Sequence, residues 1–109
     1  MERILITGAL GQLGQEFIKY FVKNNIYVLA SDIRSPDNKL NCDFEVANAM
    51  DINRLDNLVK KHKINTIYHL VAVLSAKGEE NPFNSWKLNM ESFQNIIEIS
   101  ITNKINKTF

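Results

Sequence analysis

The chain opens with an apolar run, Arg3-Ile-Leu-Ile-Thr7, whose continuity suits a strand buried on both faces. The period then changes. Leu13, Phe17 and Phe21 recur at i, i+4 and i+8, which predicts a helix from the glycine-containing stretch after the strand to the Lys-Asn-Asn at 23–25. A second strand is expected over residues 26–32 (IYVLASD), and the polar, Pro-containing 34–41 segment reads as an irregular loop. A short third strand, DFEVA, follows at 43–47. Asp51 can cap a helix with Leu55, Leu58 and Val59 on its apolar face and His62 at its boundary. INTIYHLVAV (64–73) is the expected fourth strand, with His69 a hydrogen-bonded core residue. Asn81 and Pro82 start a long helix with Trp86, Phe93, Ile96 and Ile97 as its expected core stripe, and another strand could begin at the closing Lys-Thr-Phe.

This alternation predicts an α/β fold: a Rossmann-like, doubly wound parallel sheet with helices on both faces, right-handed crossovers and strand order 3-2-1-4. Ligands of such sheets bind beyond the carboxyl ends of the strands where the order reverses, here between strands 1 and 4. Read as truncated before a fifth strand, the sheet would leave strand 4 as an open edge. With Phe83, Met90 and Ile101 partly exposed, that edge favours self-association.

Composition narrows the picture. A chain of 109 residues, 45% hydrophobic, supports one small domain or part of one. A net charge of +1 with scattered lysines argues against nucleic acid or an anionic membrane as partner. No apolar run approaches the roughly 18 residues of a membrane span, and MERILITG lacks the anatomy of a signal peptide, so the cytoplasm is the expected location. Cys42, the single cysteine, has no Cys or His neighbour at metal-ligand spacing; no metal site is expected.

The candidate chemistry sits in ITGALGQLGQEF (6–17). Gly8 would permit the turn off the strand, Gly11 would let the backbone approach a diphosphate, and Gly14 would let the helix pack close to the sheet. The spacing is Gly-x-x-Gly-x-x-Gly, for which a plain tight turn is the competing reading; strand, glycine loop and helix in this order favour a dinucleotide. Asp32 ends the second strand, where a carboxylate can accept from ribose hydroxyls and repel a 2′-phosphate. An ordinary turn residue is its alternative, and Arg34, two residues on, could instead pair with such a phosphate.

Together, ITGALGQLGQEF, ASDIR (30–34) and IYHLVAVLSAKGEENPFNSWKLNMESFQNIIE (67–98) resemble the extended short-chain dehydrogenase/reductases, the NAD-dependent epimerase/dehydratase family. LSAKGEENPFNSWKLNM (74–90) is most similar to the L-threonine 3-dehydrogenases within it. The resemblance implies NAD as cofactor, with Gly8, Gly11, Gln12, Leu13 and Gly14 around the pyrophosphate and Asp32, Ile33 and Arg34 along the adenosine ribose. It also places Leu70, Val71 and Ala72 beside the cofactor after strand 4, Asn89 reaching it from the long helix, and Ser75 on the substrate. Asn89 interrupts the apolar stripe, so a core asparagine tied to backbone is its other reading; a loop serine is the other reading of Ser75. Asn48-Ala49 stands where members commonly carry Asp-Val or Asp-Leu beside the adenine, and Val71 stands where alanine is usual.

The resemblance further implies a tyrosine with a lysine four residues on as the acid/base. Tyr20 is followed at that distance by Asn24, Tyr27 by Ser31 and Tyr68 by Ala72, so no catalytic residue is assigned. The expectation is therefore the amino-terminal NAD-binding portion of an oxidoreductase acting on L-threonine, the catalytic and substrate-binding part being absent. A non-catalytic nucleotide-binding fragment, or a fragment of a nucleotide-sugar epimerase/dehydratase, is the alternative.

Overall fold

The apolar runs become strands because both of their faces are covered. A computed structural model describes residues 1–70 and 82–109. It contains β1 (Arg3–Thr7), α1 (Gln12–Lys23), β2 (Tyr27–Asp32), β3 (Asp43–Val46), α2 (Ile52–Lys61), β4 (Thr66–His69), α3 (Pro82–Thr102) and β5 (Lys107–Thr108). Ile4 and Ile6 of β1, with Val28 and Ala30 of β2, pack on Ile18 and Phe21 of α1. Their neighbours Leu5 and Leu29, with Ile67 of β4, pack on the opposite face against Leu55, Leu58 and Val59 of α2 and Ile96 and Ile99 of α3. Two helix layers thus sandwich the sheet.

The sheet order is β3-β2-β1-β4-β5, and every pairing is parallel. Thr7 lies opposite Ser31 on one side and His69 on the other. The first four strands take the expected order. The expected truncation before a fifth strand is corrected: Lys107 and Thr108 pair with Thr66 and Ile67. The backbone N–H of Phe109 donates to Ile67 O, and that of His69 donates to Phe109 O, each at 2.8 Å. β4 is therefore not an open edge.

Two helix faces differ from their sequence reading. On α1 the buried positions are Gly14, Ile18 and Phe21, whereas Leu13 is exposed, because Gly14 sits against the Ala9 backbone of the β1–α1 loop and position 13 turns outward. On α3 the buried line is Ser92, Ile96 and Ile99, while Phe93 and Ile97 are 44% and 40% exposed. α3 carries apolar residues on both faces, so periodicity alone could not choose between them. Met90 and Ile101 are exposed as expected; the side chains of Phe83 and Trp86 lie outside the described residues.

The three helices among the described residues stop in the same way. Asn25, Lys63 and Lys104 take left-handed φ values of 59°, 54° and 53°. The following isoleucine then donates back across the last turn: Ile26 to Phe21 O, Ile64 to Val59 O and Ile105 to Ser100 O, at 2.9–3.0 Å. Each isoleucine packs on the core, which pins the direction of the next strand. Asp51 caps α2 as expected, accepting from the Arg54 N–H at 3.1 Å.

Candidate cofactor cleft

At the carboxyl ends of β1, β2 and β4, where the strand order reverses, lies a cleft of about 300 Å³. Gly8, Gly11, Asp32, Ile33, Ala49 and Leu70 line it, all of them residues singled out in the sequence. Thr7, Ser31, Ala47 and Leu55 complete the lining. These four carried no sequence signal as site residues, although Thr7 and Ser31 precede Gly8 and Asp32 on paired strand ends.

The three glycines have three separate causes. Gly8 has φ 68°, a conformation side chains resist. A Cβ on Gly14 would stand 2.5 Å from the carbonyl oxygen of Ala9 and 2.7 Å from its Cα, so only glycine lets α1 sit this close to the β1–α1 loop. Gly11 is different: among the described residues a Cβ there would meet Gly8 O alone, at 3.5 Å, an ordinary contact. Among the described residues neither strain nor packing requires glycine at 11. Its bare position keeps the cleft wall open, which is the space a diphosphate needs.

Gly11 also begins α1 without any side-chain cap. The first-turn amides of a helix lack intrahelical partners, and with the helix dipole they favour an anion. Gln12 and Leu13 occupy this exposed turn rather than the cleft lining, while Gln15 braces the loop by donating from Nε2 to Leu10 O at 3.0 Å.

Asp32 faces the cleft and also holds it together. Its Oδ2 accepts the Leu10 N–H at 2.9 Å and its Oδ1 accepts the Ile33 N–H at 2.7 Å. The carboxylate therefore clips the glycine loop to the end of β2, a role the sequence reading missed. Each oxygen retains acceptor capacity for a hydroxyl donor. Arg34 is not in the cleft; it lines a separate depression of about 160 Å³ with Leu10, Gln15 and Asp37.

Asn48 is also outside the lining. Its Oδ1 accepts the Met50 N–H at 2.9 Å in the turn before α2, and the buried Ala47 and Ala49 face the cleft instead. The Ala49 carbonyl accepts from Asn95 Nδ2 at 3.1 Å, which fastens α3 to this wall. Asn89 lies on α3 outside the cleft lining, with its carbonyl accepting from Ser92 Oγ at 3.0 Å. Val71, Ala72 and Ser75 lie outside the described residues.

The remaining sequence candidates belong to the scaffold. His62 Nδ1 lies 2.8 Å from Tyr27 Oη, and Nε2 meets Glu45. His69 bonds to Thr7 and Ser92 inside the fold. Cys42 is half-buried, and burial pushes its thiol pKa up, away from reactivity. Among the described residues no group of three His, Cys, Asp or Glu side chains could hold a metal ion, and no helix is long and apolar enough to cross a membrane.

Comparison with known proteins agrees with this fold. An uncharacterized epimerase/dehydratase of Staphylococcus saprophyticus is 41% identical over 105 residues, covering 92% of this chain and 33% of the relative. The structure of a partial consensus L-threonine 3-dehydrogenase superposes with a TM-score of 0.91 at 38% identity, over 98% of this chain and 35% of that one. A GalE-like L-threonine dehydrogenase from Cupriavidus necator, in its holo form, gives 0.90 at 34% identity over the same shares. The chain thus spans about a third of the length of the proteins it matches. Residues 4–109 match the description of the NAD dependent epimerase/dehydratase family, and the chain belongs to that family.

Proposed function

We propose that this chain is the NAD-binding part of an oxidoreductase that transfers a hydride from the hydroxyl-bearing carbon of a small substrate, L-threonine, to NAD. One observation carries the cofactor reading: the bare Gly8–Gly11 wall and the Asp32 carboxylate meet in one cleft at the topological switch point. The pyrophosphate would lie against Gly8, Gly11 and the uncapped first turn of α1. The ribose hydroxyls would donate to Asp32, and the adenine would rest beside Ile33, Ala47 and Ala49. Bound NAD supplies the hydride acceptor. The substrate assignment rests on the L-threonine dehydrogenases at 34–38% identity.

Alcohol oxidation also needs a group that takes the hydroxyl proton. None of Tyr20, Tyr27 and Tyr68 has a lysine four residues on, so the cleft residues would hold the cofactor and none of these tyrosines would supply that step. Calorimetric titration tests the binding. NAD is expected to bind more tightly than NADP, because a 2′-phosphate would meet the Asp32 carboxylate; equal or tighter NADP binding would transfer the ribose role to Arg34. In the same preparation L-threonine and NAD should give no NADH above the no-enzyme background, and turnover would reveal an acid/base elsewhere in the chain.

A further inference from the structure

Between the cleft and α3 runs a line of polar side chains that the cofactor reading does not use. His69, the last residue of β4, stands beside Thr7, which lines the cleft. Its Nδ1 is 2.7 Å from Thr7 Oγ1 and its Nε2 is 3.3 Å from Ser92 Oγ on α3. Ser92 Oγ in turn donates to the Asn89 carbonyl, 3.0 Å away.

Counting protons gives the line a direction. Ser92 has one hydroxyl proton and gives it to Asn89 O, so toward His69 its oxygen is an acceptor. The proton between them must then sit on Nε2. Burial lowers the His69 pKa and favours the neutral ring, which leaves Nδ1 with a lone pair for the Thr7 hydroxyl. Thr7 and Ser92 are each only 2% exposed, so neither hydroxyl can turn to water instead. Thr7 donates to His69, His69 to Ser92, and Ser92 to the backbone of α3.

The line has a counterpart across the cleft. There Asn95 of α3 donates to Ala49 O, which belongs to another lining residue. Among the described residues α3 is therefore fastened to the cleft at two points, one directly and one through an imidazole. We propose that His69 is a positioning residue of the NAD cleft: its Nε2–H tautomer couples the Thr7 wall to α3 and holds α3 against the carboxyl end of β1, where the cleft lies. This rests on the NAD reading above.

Three substitutions divide the two bonds. His69→Asn keeps an acceptor near the Nδ1 position and gives up Ser92; His69→Gln keeps a donor near the Nε2 position and gives up Thr7; His69→Phe gives up both while holding the volume. His69→Phe is expected to weaken NAD binding about five- to tenfold, the worth of roughly one net hydrogen bond. Each of the other two should recover part of that loss. Nitrogen-15 spectra of the wild-type imidazole should show the proton on Nε2. A proton resting on Nδ1, or His69→Phe binding NAD as tightly as a wild type that binds it, overturns the positioning role alone. If His69→Phe does not fold, Ser92→Ala replaces it with the same expectation and the same overturning result. A wild type that binds no NAD removes the cofactor reading and this role together.

Discussion

At the scale of single residues, the glycine loop separates what folding requires from what binding requires. Gly14 is demanded by the Ala9 backbone, so Gly14→Ala should cost about 1–3 kcal/mol through overpacking and lower the thermal midpoint. Gly11 is demanded by no contact among the described residues. Gly11→Val should lower the midpoint only by the poorer cap at the start of α1, about 1 kcal/mol or less, and abolish NAD binding, since the branched side chain would fill the wall where the diphosphate lies. Thermal melts and NAD titrations of both variants make the check. If Gly11→Val lost stability and kept its NAD affinity on the folded fraction, the loop would be a turn and nothing more. Asp32 shows a different economy, one carboxylate both clipping the loop through Leu10 and facing the ribose, so its replacement should disturb loop and ligand together.

At the scale of elements, the helix ends carry the most repeated device in the fold. Three left-handed residues, none of them glycine, each precede an isoleucine that closes the last turn. Lys63 stands exposed at the end of α2, and its side chain has no hydrogen-bond or ion-pair partner among the described residues. A left-handed conformation strains any residue with a Cβ, by about 1 kcal/mol, and glycine's greater unfolded-state freedom offsets part of the relief. Lys63→Gly should accordingly raise stability by a few tenths to about 1 kcal/mol, measured by urea unfolding. A loss would mean that the lysine side chain contributes more than its strain costs. Asn25 should gain less from the same change, because asparagine tolerates this region better.

At the scale of the whole molecule, a charged cluster ties β3 to α2. Glu45 of β3 accepts from Arg54 and Lys61 of α2 at 3.0 and 3.2 Å, and meets Nε2 of His62. Tyr27 of β2 donates to Asp43 at 2.7 Å, and the Arg3 guanidinium stacks 3.9 Å above its ring. The hydrogen bond from His62, then those from Lys61 and Arg54, hold the Glu45 carboxyl down at about 2 from an ordinary 4.5, against the opposing effect of burial. Because the folded state takes up this proton less readily than the unfolded one, the stabilisation is full above about pH 4.5 and is lost as the pH falls toward about 2. Glu45→Gln should cost roughly 1–2 kcal/mol at pH 7 after allowance for solvent screening, and the difference from wild type should shrink as the medium is acidified across that window. Unfolding curves at several pH values decide it; parallel losses in the two proteins would show that another group governs the acid limb.

The sequence by itself determined which segments are strands and helices, that the sheet is parallel, and that Gly8, Gly11 and Asp32 converge. Those features are written locally, in apolar runs, helical spacing, and glycines set between a strand and a helix. Only the tertiary structure decided which face of α3 is buried, because Phe93 and Ile97 are as apolar as Ile96 and Ile99 and the choice lies with the sheet they meet. The same holds for Asn48, whose side chain closes a local turn while Ala47 and Ala49 face the cleft. It holds as well for Thr7, His69 and Ser92, which are 62 and 23 residues apart along the chain and acquire a common proton direction only when β1, β4 and α3 pack together. Periodicity reports on a residue's neighbours within one element; a hydrogen bond between elements depends on register and packing, which no single segment encodes.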